Sequence, residues 1–169
     1  MTQAQLFLEE LKREAVATRA ILAAVPVEKA DWQPHPKSMT IGRLATHIAE
    51  IPGWYDVTLN QDVLDFAAGN FVPRVAKSSA ELLDIFDKNM LRAEEILSTF
   101  PDERLKETWT MRAGEQVFFV LPKDEVVRTW CLNHWYHHRA QLGVFLRLLN
   151  VPLPGTYGPS ADSGANPTK

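Results

Sequence analysis

Apolar residues recur at three- and four-residue intervals through four stretches of the chain, the spacing of helices that bury one face. The first stretch runs from Thr2 to Val25, with Leu8, Leu11, Ala15, Thr18, Leu22 and Val25 on its stripe. Thr2 and Gln5 fit a capping box, and Pro26 stops the helix. The second begins at Ser38 or Thr40 and carries Leu44, His47, Ile51, Trp54 and Thr58. Pro52 and Gly53 interrupt it, which predicts a kink or short break. The third opens with Ser78 and Glu81 as another capping box and continues through Leu82, Phe86, Met90, Ala93, Leu97 and Phe100 to Pro101. The fourth spans Lys123 to Leu149, with Val127, Cys131, His134, His138, Leu142, Phe145 and Leu149 on one stripe. Asn150, Val151 and Pro152 end it.

Between Glu107 and Val120 the pattern changes to β-rich runs, Thr108–Met111 and Gln116–Val120, with Arg112–Glu115 as the turn. The predicted fold class is therefore all-α: a four-helix bundle with a short β-hairpin or extended insertion between the third and fourth long helices. No strands alternate with the helices, which argues against a parallel sheet. A single domain covers 1–169, and the Pro/Gly-rich tail from 151 to 169 is expected to be irregular. The 169 residues and 46% hydrophobic content suffice for one sizeable core.

Charge narrows the partners. The net charge is -3 with no single-sign block, so bulk affinity for nucleic acid or an anionic membrane is not expected. The start of the chain lacks the basic and apolar regions of a signal peptide, and no apolar run approaches the ~20 residues of a membrane span. A cytoplasmic protein acting on a small molecule is the expectation. One cysteine excludes an intramolecular disulfide and a cysteine-only zinc site.

The candidate chemistry lies in the histidines. His134 and His138 are four apart on one helix, so their side chains are neighbours on one face. Neutral imidazole is the commonest metal-ligating side chain. A third ligand must come from elsewhere, and His47 on the inward stripe of the second helix is the natural candidate. Three protein ligands leave a position for water or substrate, as in catalytic zinc sites. The alternative is one buried, hydrogen-bonded histidine and several surface ones. His137 falls about 100° from His138 around the helix and belongs to the flank.

Three blocks carry a family resemblance. They are Pro34–Met39 leading into Leu44–Ile48, then His134–Leu142 (HWYHHRAQL), then Tyr157–Asp162 (YGPSAD). In this order, across nearly the whole chain, they resemble the DinB-like (DinB/YfiT-like) metalloenzyme family. The family usually has glycine where Ala140 stands, a conservative departure. The resemblance implies a four-helix bundle and a divalent metal, zinc or nickel, held at positions matching His47, His134 and His138. It also implies a homodimer. Some members of the family transfer a bacillithiol or mycothiol thiolate to an electrophile, and a related group isomerises maleylpyruvate with mycothiol.

Other residues are open to functional and structural readings. Cys131 is a fourth ligand, a nucleophile or a small core residue. Glu50, three after His47, is a catalytic base, an orienting group or a solvated shoulder. Gln141 shares the histidine face and bonds a ligand, a substrate or a neighbouring helix. Arg139 points to a structural salt bridge rather than substrate. His35, between two prolines, lines a pocket mouth or faces solvent. Trp54 and Tyr157 wall a pocket or belong to the core, and Asp162 orders its loop. The leading functional expectation is a metal-dependent transferase that activates a low-molecular-weight thiol. The alternatives are a metal-dependent hydrolase using Glu50, or a non-catalytic metal- or ligand-binding stress-response module.

Overall fold

The computed structural model describes residues 1–69 and 72–163. It is mostly helical, with a three-stranded sheet set against one end of the helices. Helix α1 is Gln3–Ala23, α2 Ile41–Glu50, α3 Trp54–Asn60 and α4 Ser79–Thr99; α5 is a single turn, Lys123–Val126, and α6 is His134–Leu148. The strands are β1 Val63–Asp65, β2 Thr108–Ala113 and β3 Gln116–Pro122.

Local chemistry explains the ends of these elements. Thr2 accepts from the Gln5 amide while Gln5 returns a bond to the Thr2 amide, the reciprocal capping box expected for α1. Thr40, not Ser38, caps α2 by accepting from Arg43 N. Ser78 caps α4, but the Glu81 carboxylate accepts from Lys77 N instead of Ser78 N, so the second box is only half formed. The Pro52–Gly53 interruption becomes a 3-10 turn, Ile51–Gly53, between α2 and α3. Asn150, at φ 58°, ends the last helix in the left-handed region that Asn tolerates better than most residues.

The last helix is not continuous α-helix. From Val127 to Asn133 it is π-helical, and the His134 amide reaches back to Thr129 O. Each π turn takes more residues than an α turn, so the buried face shifts along the chain. The core-facing residues of α6 are Trp135, Leu142 and Leu146, with His138 and Arg139 also buried. His134 and Phe145 sit on its flank rather than at its centre.

The chain is mostly helical as expected, and a small mixed sheet adds to the helices. The predicted hairpin forms, with Ala113 opposite Gln116 and Gly114–Glu115 as its two-residue loop. Gly114 has φ 60° at the first loop position, as a type II′ turn requires. The predicted turn residues Arg112 and Ala113 are strand residues instead. A third strand, β1, pairs parallel with β2, against the expectation of no parallel pairing. It is three residues long and follows α3 directly, so it leaves no periodic trace in the sequence. Asp65 fastens β1 to the turn by accepting from Gly114 N and Ala67 N, both at 2.9 Å.

One core is shared by α1, α2, α4 and α6, where Leu11, Leu22, Ile41, Leu44, Ile48 and Leu142 are fully or almost fully buried. A smaller one, Trp109, Met111 and Val126, lies under the sheet. Lys123 joins helices to sheet: its buried ammonium bonds Leu59 O at 3.1 Å, Asp62 at 2.9 Å and Glu107 at 3.2 Å. No helix among the described residues is long and apolar enough to cross a membrane.

Candidate metal centre

Two bonds set α2 and its neighbours in register. The buried Trp135 indole donates to Ile48 O at 3.1 Å, fixing α6 against α2. Asn89 of α4 donates to Ala49 O at 2.9 Å from the other side. With α6 held there, His134 and His138 face His47. Their candidate ligand nitrogens all lie within 4.8 Å of one another. Nε2 of His47 and Nε2 of His134 are 3.0 Å apart.

The donor set suits a divalent ion. At ~2.0–2.1 Å from each nitrogen, a tetrahedral ion needs nitrogens about 3.3 Å apart, close to the 3.0 Å of the His47–His134 pair. Gln141 fixes one ligand: Nδ1 of His138 donates to Gln141 Oε1 at 2.8 Å, which leaves the Nε2 lone pair directed inward. Burial and the mutual repulsion of cations keep the rings neutral. His47 is pushed down to about 3, first by burial and then by His138, Arg43 and His134. His134 is pushed down to about 4 by burial, His138 and His137. His138 is lowered chiefly by burial, against the Gln141 bond. Neutral imidazoles are the metal-binding form. Arg43 Nη2 lies 3.5 Å from Nδ1 of His47, but a guanidinium only donates, so it cannot orient a metal-bound His47 as Gln141 orients His138.

A cavity of about 740 Å³ opens beside the histidines, between α2, α3, the π-helical segment and the sheet. His47 and Trp54 form its inner wall. The Trp54 ring is 5.4 Å from His47 and 5.2 Å from His134, so this predicted pocket residue does face the site.

The other predicted residues divide. Glu50 is close in sequence but committed elsewhere, to Arg43 at 3.0 Å and Arg74 at 3.2 Å. His35 is exposed, with Nδ1 accepting from Lys37 N at 3.1 Å within its proline loop. Tyr157 stands on another side of α6, bonded to Glu14 and Arg139. Neither His35 nor Tyr157 lines the cavity. Cys131 is fully buried beside the Thr58 hydroxyl, 3.8 Å away, and burial pushes its thiol up to about 12. It is outside the histidine cluster. His137 is exposed and packs its ring 4.9 Å from His138. Asp162 orders the tail, pairing with Arg147 at 2.6 Å and accepting from Leu153 N at 2.9 Å.

The sequence reading missed Trp130, Phe119, Trp109 and Arg43, all of which line the cavity. Trp130 was within reach: it precedes His134 by four, and the rings stack at 5.7 Å. The hairpin aromatics carried no such signal, because aromatic residues in strands are ordinarily core.

Comparison with known proteins agrees with this architecture. YrdA of Bacillus subtilis (strain 168) is 27% identical over 163 residues, 94% of this chain and 90% of that protein. A DinB-like protein from Bacillus cereus ATCC 10987 shares the fold with a TM-score of 0.64 at 24% identity, over 89% of this chain and 95% of that one. The DinB-like protein YjoA from Bacillus subtilis does so with a TM-score of 0.66 at 13% identity, over 90% and 99%. The family model described as the DinB family matches residues 1–169, and with three histidines gathered from α2 and α6 at the sites its sequence blocks marked, the chain belongs to the DinB family.

Proposed function

We propose that the chain is a divalent-metal-dependent transferase joining a low-molecular-weight thiol to an electrophilic small molecule, built on a four-helix bundle. The observation that carries this is the convergence of His47, His134 and His138, with His47 lining an apolar cavity. Three imidazoles suit zinc or nickel and leave a position for an outside ligand. When bound, the ion supplies the Lewis acidity that turns a coordinating thiol into its thiolate.

The chain's own residues divide the remaining work. Gln141 holds His138 in the metal-binding tautomer. Trp54 packs against His47 and His134 and limits how far either ring turns. The apolar cavity takes the electrophile and keeps water from competing with the thiol. In the reaction a carbon–sulfur bond forms as the bond to the leaving group breaks, and the thiol proton and the leaving group pass to solvent. The sulfur must come from outside, because the one cysteine of the chain is sealed in the core with a raised pKa. Support for a hydrolase is weaker: Glu50, the base it needs, is held by two arginines.

The test is elemental analysis of tag-free wild type beside His138→Ala, followed by turnover of the loaded protein with low-molecular-weight thiols and model electrophiles. About one divalent ion per chain, lost in the variant, with thiol-dependent product, supports the transferase. Metal binding without thiol turnover returns the reading to hydrolase or ligand-binding module. No metal even after reconstitution removes the metal-dependent readings together.

A further inference from the structure

The walls of the cavity say what fits beside the histidines. Trp109 and Phe119 of the hairpin are 5.9 Å apart between ring centroids. Phe119 stacks on Trp130 at 5.3 Å with 19° between planes, and Trp130 stacks on His134 at 5.7 Å with 27°. A run of ring faces thus leads from the sheet to the histidine cluster. At the outer rim, half-exposed Phe66 and Phe118 meet at 6.4 Å. The volume, about 740 Å³, is that of a small-molecule site and exceeds what one ring fills.

Apart from His47, the charged and hydroxyl side chains of the wall are already engaged. Arg43 is bonded to Glu50 and to Arg74 O. Asp65 takes Gly114 N, Ala67 N and Arg112. The Thr58 hydroxyl sits against the Cys131 sulfur. A charged group entering would lose its hydration, and the charged side chains of the wall, Arg43 and Asp65, are already held by partners in the fold. A flat, uncharged ring system would gain apolar burial and ring-to-ring contact.

We infer that this cavity seats the planar, uncharged aromatic part of an electrophilic substrate against the wall formed by Phe119, Trp130 and Trp54, with the reacting atom at the His47–His134–His138 end. The electrophilic character rests on the transferase reading; the aromatic seat stands on the cavity walls.

The two are tested separately by calorimetry on the full, metal-stripped chain, where no thiol chemistry takes part. The probes are naphthol, its fully saturated analogue decalol, and naphthoate. Naphthol is expected to bind about threefold or more tighter than decalol. It is expected to bind at least about tenfold tighter than naphthoate. Phe119→Leu keeps an apolar side chain but removes the ring face. It should weaken naphthol about 3–10-fold and leave decalol within about twofold. Circular dichroism and metal stoichiometry unchanged from wild type show that the fold and centre survive the substitution. No naphthol binding by folded wild type, naphthoate binding as tight as naphthol, or equal losses of naphthol and decalol in Phe119→Leu would each overturn the inference. Naphthol binding without thiol turnover of the loaded protein upholds the seat and removes the transferase. Thiol turnover of charged aliphatic electrophiles without naphthol binding does the reverse.

Discussion

His138 and Arg139 are consecutive and both buried, yet they face two polar clusters of opposite character. Arg139 enters a closed network. Its guanidinium bonds the Glu14 carboxylate at 2.6 Å, Thr18 Oγ1 at 3.0 Å, Glu14 O at 3.2 Å and the Tyr157 hydroxyl at 2.5 Å. The Tyr157 hydroxyl in turn donates to Glu14 at 2.8 Å, and two aromatic rings cover the guanidinium. Charge is balanced and the donors are matched to acceptors within the fold. His138 enters an open cluster. Gln141 satisfies one of its nitrogens, while the other converges with those of His47 and His134, and among the described residues no carboxylate joins that cluster. A buried polar group left to face only its own kind is costly. The closed cluster therefore reads as structure and the open one as a place prepared for something from outside.

Substitutions on either side of the peptide bond between these residues test that division. The largest effect is expected from His138→Ala, which should reduce bound metal from about one per chain to near zero. This loss exceeds the about 10–100-fold that outer partners of a metal site command. Elemental analysis after dialysis against buffered metal measures it. Arg139→Met should leave bound metal per folded chain unchanged. It strands the Glu14 carboxylate, so urea denaturation should show a loss of about 3–5 kcal/mol. Pairing it with Glu14→Leu should recover most of that loss. A double variant that stayed unstable, or an Arg139→Met protein that folded but lost its metal, would erase the distinction between the two clusters.

The same contrast explains what the sequence made legible. The helical periods located three of the four long runs closely, and the i, i+4 spacing picked out His134 and His138 because that relation is a property of the helix itself. His47 was reachable because it lies on an apolar stripe where an imidazole is conspicuous. Nothing in the local pattern marks Glu14 as buried, since a carboxylate breaks the stripe of α1; its partner comes from 125 residues further on. Pairings that distant leave no local mark. The π-helical segment was invisible for a different reason. Its residues also fit an α-helical stripe, and only tertiary packing selects the wider turn that buries Trp135 and stacks Trp130 on His134. Strand β1 is too short to carry a period and exists because β2 offers it an edge.

Finer substitutions sharpen the open side. Gln141→Leu removes the acceptor for Nδ1 of His138 and should weaken metal binding by about 10–100-fold with little change in fold. Titration with a competing chelator reads that shift. Acid stability gives an independent signature. In the folded metal-free chain His47 and His134 lie at about 3 and about 4. In the unfolded chain both return to about 6.5. Between those limits the unfolded state binds more protons, so stability rises with pH and is progressively lost as pH falls from about 6.5 towards 4. The urea midpoint of the metal-free protein should follow that slope, and His47→Asn should flatten it. A wild-type midpoint constant across the window would mean that the rings are as solvated folded as unfolded.

The smallest effect belongs to the edge of the closed cluster. Tyr157 comes from the tail and is 75% exposed, but its hydroxyl reaches inward to both charges of the Glu14–Arg139 pair. Tyr157→Phe keeps the ring over the guanidinium and removes only that hydroxyl. The ion pair survives, so the expected loss is about 1 kcal/mol by urea denaturation. Combining it with Arg139→Met should give a non-additive sum, because the hydroxyl and the guanidinium share one carboxylate. Combining it with Gln141→Leu should leave metal affinity where Gln141→Leu alone puts it. If Tyr157→Phe changes metal affinity as well as stability, the two clusters communicate through the His138–Arg139 peptide, and the tail becomes part of the metal centre rather than a clasp on α1.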